Sequence, residues 1–311
     1  MNRTCLVTGG AGNLACQLTH RLAERGEKSV LFDLAEKPVA AVAAGCTYVR
    51  GDLARPGEVE RLLAEHRPDV IIHFASLLSG SSEANRPLAW TVNMDGTFAL
   101  FEAALAHGVR QVFFPSSVAA YGGNLPDPVP EDFPQWPGGL YGVTKMAVER
   151  LGAYYHARHG LDFRAIRVPV VISPFAPPGA ASAYASRAFV EALREGRFVF
   201  KVRPQTCPSL IYVKDVLRAI VMLMDAPNER LTRRVYNIQA LSPTAEEIAE
   251  AICRRLPGAR MTFEPDPEVV ALIEGWPIHF VDASARRDWG WHAEYDLQAL
   301  ADDILENGGT S

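Results

Sequence analysis

Between an apolar run, Thr4–Thr8, and an amphipathic stretch starting near Asn13 stands Thr8-Gly9-Gly10-Ala11-Gly12-Asn13-Leu14-Ala15. Three glycines in four residues at such a junction predict a strand that turns sharply into a helix. Gly9 permits the tight turn, Gly12 lets the backbone approach a ligand, and Ala15 is small enough for the helix to pack on the strand. Amide groups at a helix start, with the helix dipole behind them, favour a negatively charged ligand there. A strand–turn–helix unit that can seat a phosphate group is the first constraint on the fold.

The rhythm that follows extends that unit. Apolar runs at Ser29–Asp33, Thr47–Arg50, Val70–Phe74, Gln111–Pro115 and Asp162–Arg167 alternate with helical stretches at Asn13–Arg25, Leu88–His107 and Tyr141–His159. Strands that are nearly all apolar, separated by helices, indicate a parallel sheet covered on both faces. The fold expected is therefore α/β, a doubly wound parallel sheet of the Rossmann type over residues 1–169, with a return segment near 206–240. Beyond Pro169 the rhythm changes. A proline-rich loop (Pro174, Pro177, Pro178) precedes a helix at Ala183–Glu195, with strand-like pieces at Phe198–Val202 and Arg234–Ile238. Ser242-Pro243-Thr244 followed by Glu246-Glu247 opens another helix, Thr244–Leu256. Residues 170–311 are read as a smaller α/β substrate lobe.

Composition narrows the partners. A net charge of -5 over 311 residues offers no broad cationic face for nucleic acid. No apolar run reaches membrane-spanning length. Five scattered cysteines without a CxxC pair argue against a disulfide framework or a zinc site, and point to the cytoplasm. The expected partner is a small molecule, with no metal.

The second strand ends at Asp33, the place from which an acid can accept both ribose hydroxyls of an adenosine. Its charge repels a 2′-phosphate, and no arginine follows it directly, so NAD is expected rather than NADP. Asp52, in Gly51-Asp52-Leu53, is placed either to reach the adenine amino group or to cap a helix. Tyr141 and Lys145 lie four residues apart at a helix start, on one face: a phenol that can act as a base and an ammonium that favours its ionised form. Phe113-Phe114-Pro115-Ser116-Ser117 ends an apolar strand on the ligand-bearing edge of the sheet and delivers Ser117 as a hydroxyl, with Ser116 as its rival.

These features, with Phe74-Ala75-Ser76 and Asn93 in Val92-Asn93-Met94-Asp95-Gly96-Thr97, resemble the extended short-chain dehydrogenase/reductase superfamily in order and interval. The resemblance implies that Ser117 polarises the substrate oxygen, Tyr141 is the acid/base and Lys145 holds the nicotinamide ribose. It further implies that Gly9, Gly12, Asn13, Leu14, Asp33, Asp52, Leu53, Phe74, Ala75, Ser76, Asn93, Pro169 and Val171 line the cofactor. Ala75-Ser76-Leu77-Leu78-Ser79-Gly80, the Arg167–Ser173 strand, Gly275-Trp276-Pro277 and Asp288-Trp289-Gly290-Trp291 look like the short-chain type of L-threonine 3-dehydrogenase. That likeness implies a β-hydroxy amino acid substrate, with Ser79, Ser182 and Trp276 beside it. Two departures stand out: Ala180-Ala181-Ser182-Ala183 replaces a loop richer in hydroxyls and an acid, and Val170 replaces a glycine. Gly179–Ser186 and Tyr121–Pro126 resemble dehydrogenases of four-carbon sugar acids such as D-erythronate, and a nucleotide-sugar 4-epimerase is a third alternative. The helices Leu88–His107 and Tyr141–His159 have the lengths that the superfamily uses for a homodimer. Trp289 and Trp291 can equally be packing anchors.

Overall fold

A computed structural model describes residues 3–55, 57–175 and 183–307. In chain order, β1 (Thr4–Thr8), α1 (Asn13–Glu24), β2 (Lys28–Asp33), β3 (Thr47–Arg50), α2 (Glu58–His66) and β4 (Val70–His73) come first. α3 (Ser79–Ala84), α4 (Arg86–Trp90), a π-helical turn (Thr91–Asp95), α5 (Gly96–Ala106), β5 (Gln111–Ser117), α6 (Leu140–His159) and β6 (Asp162–Val168) follow. The remainder comprises β7 (Val170–Ile172), α7 (Tyr184–Glu195), β8 (Arg197–Phe200), β9 (Leu210–Tyr212), α8 (Val213–Asp225) and β10 (Val235–Asn237). It ends with α9 (Ala245–Arg255), β11 (Arg260–Phe263), α10 (Pro267–Glu274), α11 (Ala283–Trp289) and α12 (Leu297–Asn307).

The chain forms two compact units. The first runs to Gly122 and adds Gln135–Arg167 and Ile220–Tyr236; the second holds Gly123–Pro134, Val168–Ala219 and the chain from Asn237. The first unit is built on a seven-stranded sheet in the order β10-β6-β5-β4-β1-β2-β3. β1 pairs with β2 and β4, β2 with β3, and β4 with β5, all parallel. This is the doubly wound α/β sheet that the alternation of runs predicts. β4 is buried throughout and β1 nearly so, because helices cover both faces, which is why these strands read as unbroken apolar runs. Leu6, Ile71, Phe101, Val112 and Phe163 lie at the centre of the core. Winding reverses direction between β1 and β4, and the carboxyl ends of such strands are where an open α/β sheet takes its ligand.

The helix expected over Leu88–His107 is interrupted. α4 and α5 are joined by the π-helical turn, a local widening that recurs at functional sites. In the second unit, β7 pairs with β9 and β8 with β11, both parallel. The helix start read from Thr244 and Glu247 is a complete capping box: Thr244 Oγ1 accepts from the Glu247 amide, and Glu247 accepts from the Thr244 amide at 2.7 Å. Trp289 and Trp291 are buried, with ring centroids 5.8 Å apart, and the Trp291 indole donates to the Gln239 carbonyl. Both tryptophans are packing anchors of that unit. Among the described residues no helix is long and apolar enough to cross a membrane.

Candidate functional site

The glycine turn has the shape that its sequence predicts. Gly9 has φ +68°, and a Cβ there would lie 2.6 Å from the Ala75 amide nitrogen, so only glycine fits between β1 and the chain leaving β4. Gly12 is the N-cap of α1; it supplies no side-chain cap, and the first turn of α1 carries no acid. Asn13 and Leu14, half-buried, begin the helix. A helix start left open in this way, beside a backbone no side chain shields, fits a dinucleotide's pyrophosphate. Asp33 stands next to it. One of its carboxylate oxygens accepts from the Ala11 amide at 3.0 Å and the other from the Ala35 amide at 2.9 Å, which ties the strand end to the turn. Asp52 instead accepts from the Ala54 amide at 2.9 Å, a local turn, and Leu53 is buried against Gly96.

A chain of hydrogen bonds supports the end of β4. Thr97 Oγ1 donates to the Asn93 carbonyl at 2.7 Å, so it accepts from His73 Nε2 at 2.9 Å. That tautomer leaves His73 Nδ1 to accept from Thr8 Oγ1 at 2.6 Å. His73 is fully buried, and burial, with Lys145 adding to it, pulls its pKa down to about 3. A neutral imidazole therefore bridges β1 to α5 at every physiological pH. Phe74, Ala75 and Ser76 continue from it, half-buried. Asn93, on the π-helical turn, holds the next residue at both ends: its Oδ1 accepts from the Leu77 amide at 2.8 Å and its Nδ2 donates to the Leu77 carbonyl at 3.1 Å. The same Nδ2 donates to Thr144 Oγ1 at 3.2 Å, on α6.

The two serines that end β5 separate here. Ser116 is buried and donates to the Glu149 carboxylate, whereas Ser117, on the opposite side of the strand, is hydrogen-bonded to Tyr141. Gly142 makes the close approach possible, since a Cβ there would lie 2.2 Å from the Ala119 carbonyl oxygen. Burial pushes the Tyr141 phenol up to about 12, and the bond with Ser117 works against that rise. Lys145 Nζ lies 5.4 Å from the centroid of the Tyr141 ring and donates to the Pro115 carbonyl at 2.8 Å. Burial draws the Lys145 ammonium down to about 7, against the pull of the Glu149 carboxylate one turn along α6. A hydroxyl, a phenol and an amine with a pKa near neutrality thus share one corner of the first unit.

Glu149, on α6, joins this corner without any expectation from the sequence. It is 1% exposed and takes two hydrogen bonds from Arg167 Nε and one from Arg167 Nη2 at 2.7 Å, while Gln135 Nε2 donates at 2.9 Å. Its position four residues beyond Lys145 and eight beyond Tyr141 was a usable signal, because that spacing puts all three on one helix face. Exposed Ser79 opens α3 in the first unit. Pro169, Val171 and Trp276 belong to the second unit, where Val171 pairs with Ile211. Ser182 lies outside the described residues.

A doubly wound sheet with a glycine cradle at its first strand is a dinucleotide-binding fold. The model of the NAD dependent epimerase/dehydratase family matches residues 5–238. A mitochondrial L-threonine 3-dehydrogenase of Bos taurus is 36% identical over 308 residues, 98% of this chain and 82% of the relative. Among solved structures, an L-threonine dehydrogenase from Clostridium difficile superposes with a TM-score of 0.92 at 32% identity, covering 98% of this chain and 97% of the other. A nucleoside-diphosphate-sugar epimerase from Agrobacterium tumefaciens gives a TM-score of 0.89 at 30% identity, covering 98% and 94%. The chain belongs to the NAD dependent epimerase/dehydratase family and is an NAD-dependent oxidoreductase, as its resemblance to the extended short-chain superfamily implies.

Proposed function

We propose that this enzyme oxidises the secondary alcohol of a β-hydroxy amino acid of the L-threonine type, with Tyr141 as the base. The observation that carries the chemistry is the hydrogen-bonded pair of Ser117 and Tyr141 with Lys145 alongside. Full-length similarity to L-threonine dehydrogenases supports the substrate class. In this reading Tyr141 Oη takes the hydroxyl proton, Ser117 Oγ donates to the oxygen as it becomes a carbonyl, and Lys145 holds the nicotinamide ribose. NAD, when bound, supplies the hydride acceptor. Gly9, Gly12, Asn13 and Leu14 would seat its pyrophosphate and Asp33 its adenosine ribose. Leu53, Phe74, Ala75, Ser76 and Asn93 would complete the cofactor's surroundings, with Asp52 nearer to a structural role because it closes a local turn. Ser79 would face the amino acid.

The similarity to a nucleoside-diphosphate-sugar epimerase favours a second reading, in which the hydride returns to the substrate. One assay separates them. L-threonine, D-erythronate and UDP-sugars are each supplied with NAD or NADP, and reduced cofactor is followed at 340 nm alongside product analysis. NADH formation from L-threonine, with far slower turnover on NADP because Asp33 repels a 2′-phosphate, is expected. Reduced cofactor from D-erythronate alone would move the substrate to sugar acids; interconversion of UDP-sugars with no net NADH would make the enzyme an epimerase.

The compartment proposed is the cytoplasm, supported by five free thiols. A homodimer is proposed through α5 and α6. Phe98 and Tyr154, both about half-exposed, flank Tyr155 with ring centroids 6.4 and 5.7 Å from it, and Trp90 is similarly exposed on α4. Large aromatics left in water on neighbouring helices fit a second copy of the same face. Light scattering at micromolar protein should give twice the chain mass, and Phe98→Arg with Tyr154→Arg should halve it. A parent protein that runs as a monomer would refute the dimer.

A further inference from the structure

The helix that carries Tyr141 does not cap itself. Its N-cap is Gly139, which has no side chain to offer, and its first turn holds no acid. The acceptor comes from another element: Glu83 Oε1, on α3, accepts from the Leu140 amide at 2.8 Å. Gly139 makes room for it, since a Cβ there would stand 3.2 Å from that oxygen. A carboxylate in this position satisfies one of the open amides and faces the positive end of a twenty-residue helix.

The segment that bears Glu83 is tied down at its other end as well. Leu77 is held through both its amide and its carbonyl by Asn93, which also reaches Thr144 on α6. Thr144 Oγ1 in turn donates to the carbonyl of Tyr141 at 2.9 Å. Ser82 Oγ closes the segment on itself by donating to the Leu77 carbonyl at 2.9 Å. Leu77–Glu83 is therefore tied to α6 directly at Glu83 and, through Asn93, at Leu77, one tie on either side of Ser79.

We propose that Glu83 is a positioning residue: by capping α6 from α3, the short helix that opens at Ser79, it sets the register of that helix against Tyr141 and so governs binding of the alcohol substrate. The inference rests on the proposed function, with Tyr141 as the base and Ser79 beside the substrate. It makes substrate affinity depend on an exposed carboxylate that touches neither cofactor nor reacting atoms.

Glu83→Ala removes the acceptor, while Glu83→Gln keeps a carbonyl oxygen at the same reach. With L-threonine, Glu83→Ala should raise KM about tenfold with a smaller fall in kcat, and Glu83→Gln should return KM to within about threefold of the parent. The NAD Kd should be the same in all three. Hydrogen exchange followed by mass spectrometry on the NAD-bound enzymes reads the coupling without any substrate: in Glu83→Ala, exchange should quicken in 77–84 and at the start of α6 together. Faster exchange at the start of α6 alone, or an unchanged KM for Glu83→Ala, would overturn the proposal. So would equal impairment of the alanine and glutamine variants, which would mean that charge rather than the cap matters. Because the exchange measurement needs no turnover, a parent enzyme inactive on L-threonine would refute the substrate reading and leave this inference to be decided by exchange.

Discussion

Replacing Tyr141 with phenylalanine is expected to lower kcat for alcohol oxidation by roughly a thousandfold, within the range set by losing a general base. The NAD Kd is expected to stay within about twofold of the parent, because the ring remains and only Oη is removed. What disappears is the hydroxyl bonded to Ser117. The pH dependence has a definite sign. With Tyr141 as the proposed base, oxidation would need the phenolate; burial has pushed the phenol up to about 12, and the Ser117 bond opposes that rise. The positive charge of oxidised nicotinamide lowers it further once the cofactor is in place. kcat/KM of the parent enzyme should therefore climb with rising pH and level off once Lys145 begins to lose its proton near 7, whereas the residual activity of Tyr141→Phe should lose the rising limb. Stopped-flow turnover with fluorescence titration of NAD checks both halves. A variant that turns over within a few-fold of the parent would remove Tyr141 from the mechanism.

Much of this corner could be read from residues alone, for a physical reason. A strand buried on both faces has to be apolar throughout, so β1, β2, β4 and β5 announce themselves, and the residues where the runs stop mark the ligand-bearing edge. Asp33 and Ser117 sit at such stops. The choice between Ser116 and Ser117 was not open to the sequence, because neighbours on a strand face opposite ways and both are serines; the buried partner of Ser116 decides it. The π-helical turn at Thr91–Asp95 carries no local mark, since what accompanies it is tertiary: Asn93 gripping Leu77, and Thr97 joined to His73. Asp52 shows the reverse case, a residue with a plausible distant role whose observed partner lies two positions away. α8 does carry a sequence mark, since Val213, Val216, Leu217, Ile220, Leu223 and Met224 recur at helical spacing and are buried. A polar residue inside an apolar strand, such as His73, is intelligible only once its partners are known, whereas Glu149 shares a helix face with Tyr141 and Lys145 that the spacing already shows.

The second large effect is expected from Glu149→Gln. The carboxylate is 1% exposed, is gripped by Arg167 through three hydrogen bonds, and is closed in by Ser116 and Gln135. Arg167 is itself buried, donating also to Tyr121 Oη at 2.6 Å and stacking 4.7 Å from the centre of that ring. Neutralising one partner leaves the guanidinium without a counter-charge in the core, which costs about 3–5 kcal/mol. For a chain of this size that is a fall in Tm on the order of 5–10 °C. The effect on catalysis has its own direction. Glu149 supports the charged form of Lys145, which burial has drawn down to about 7, so removing the anion lowers that pKa further. Less Lys145 is then protonated above neutrality, and activity at pH 8 should fall more than activity at pH 6. Glu149→Leu with Arg167→Met removes both charges at once, and because no buried ion is then left alone, Tm should recover most of the loss. The pH profile should not recover with it, since Lys145 still lacks its anion. Calorimetry on the single and double variants, with rates across pH 6–9, separates the two consequences; a double variant as unstable as Glu149→Gln would show that the lost hydrogen bonds to Ser116, Gln135 and Tyr121, rather than the stranded guanidinium, carry the energy.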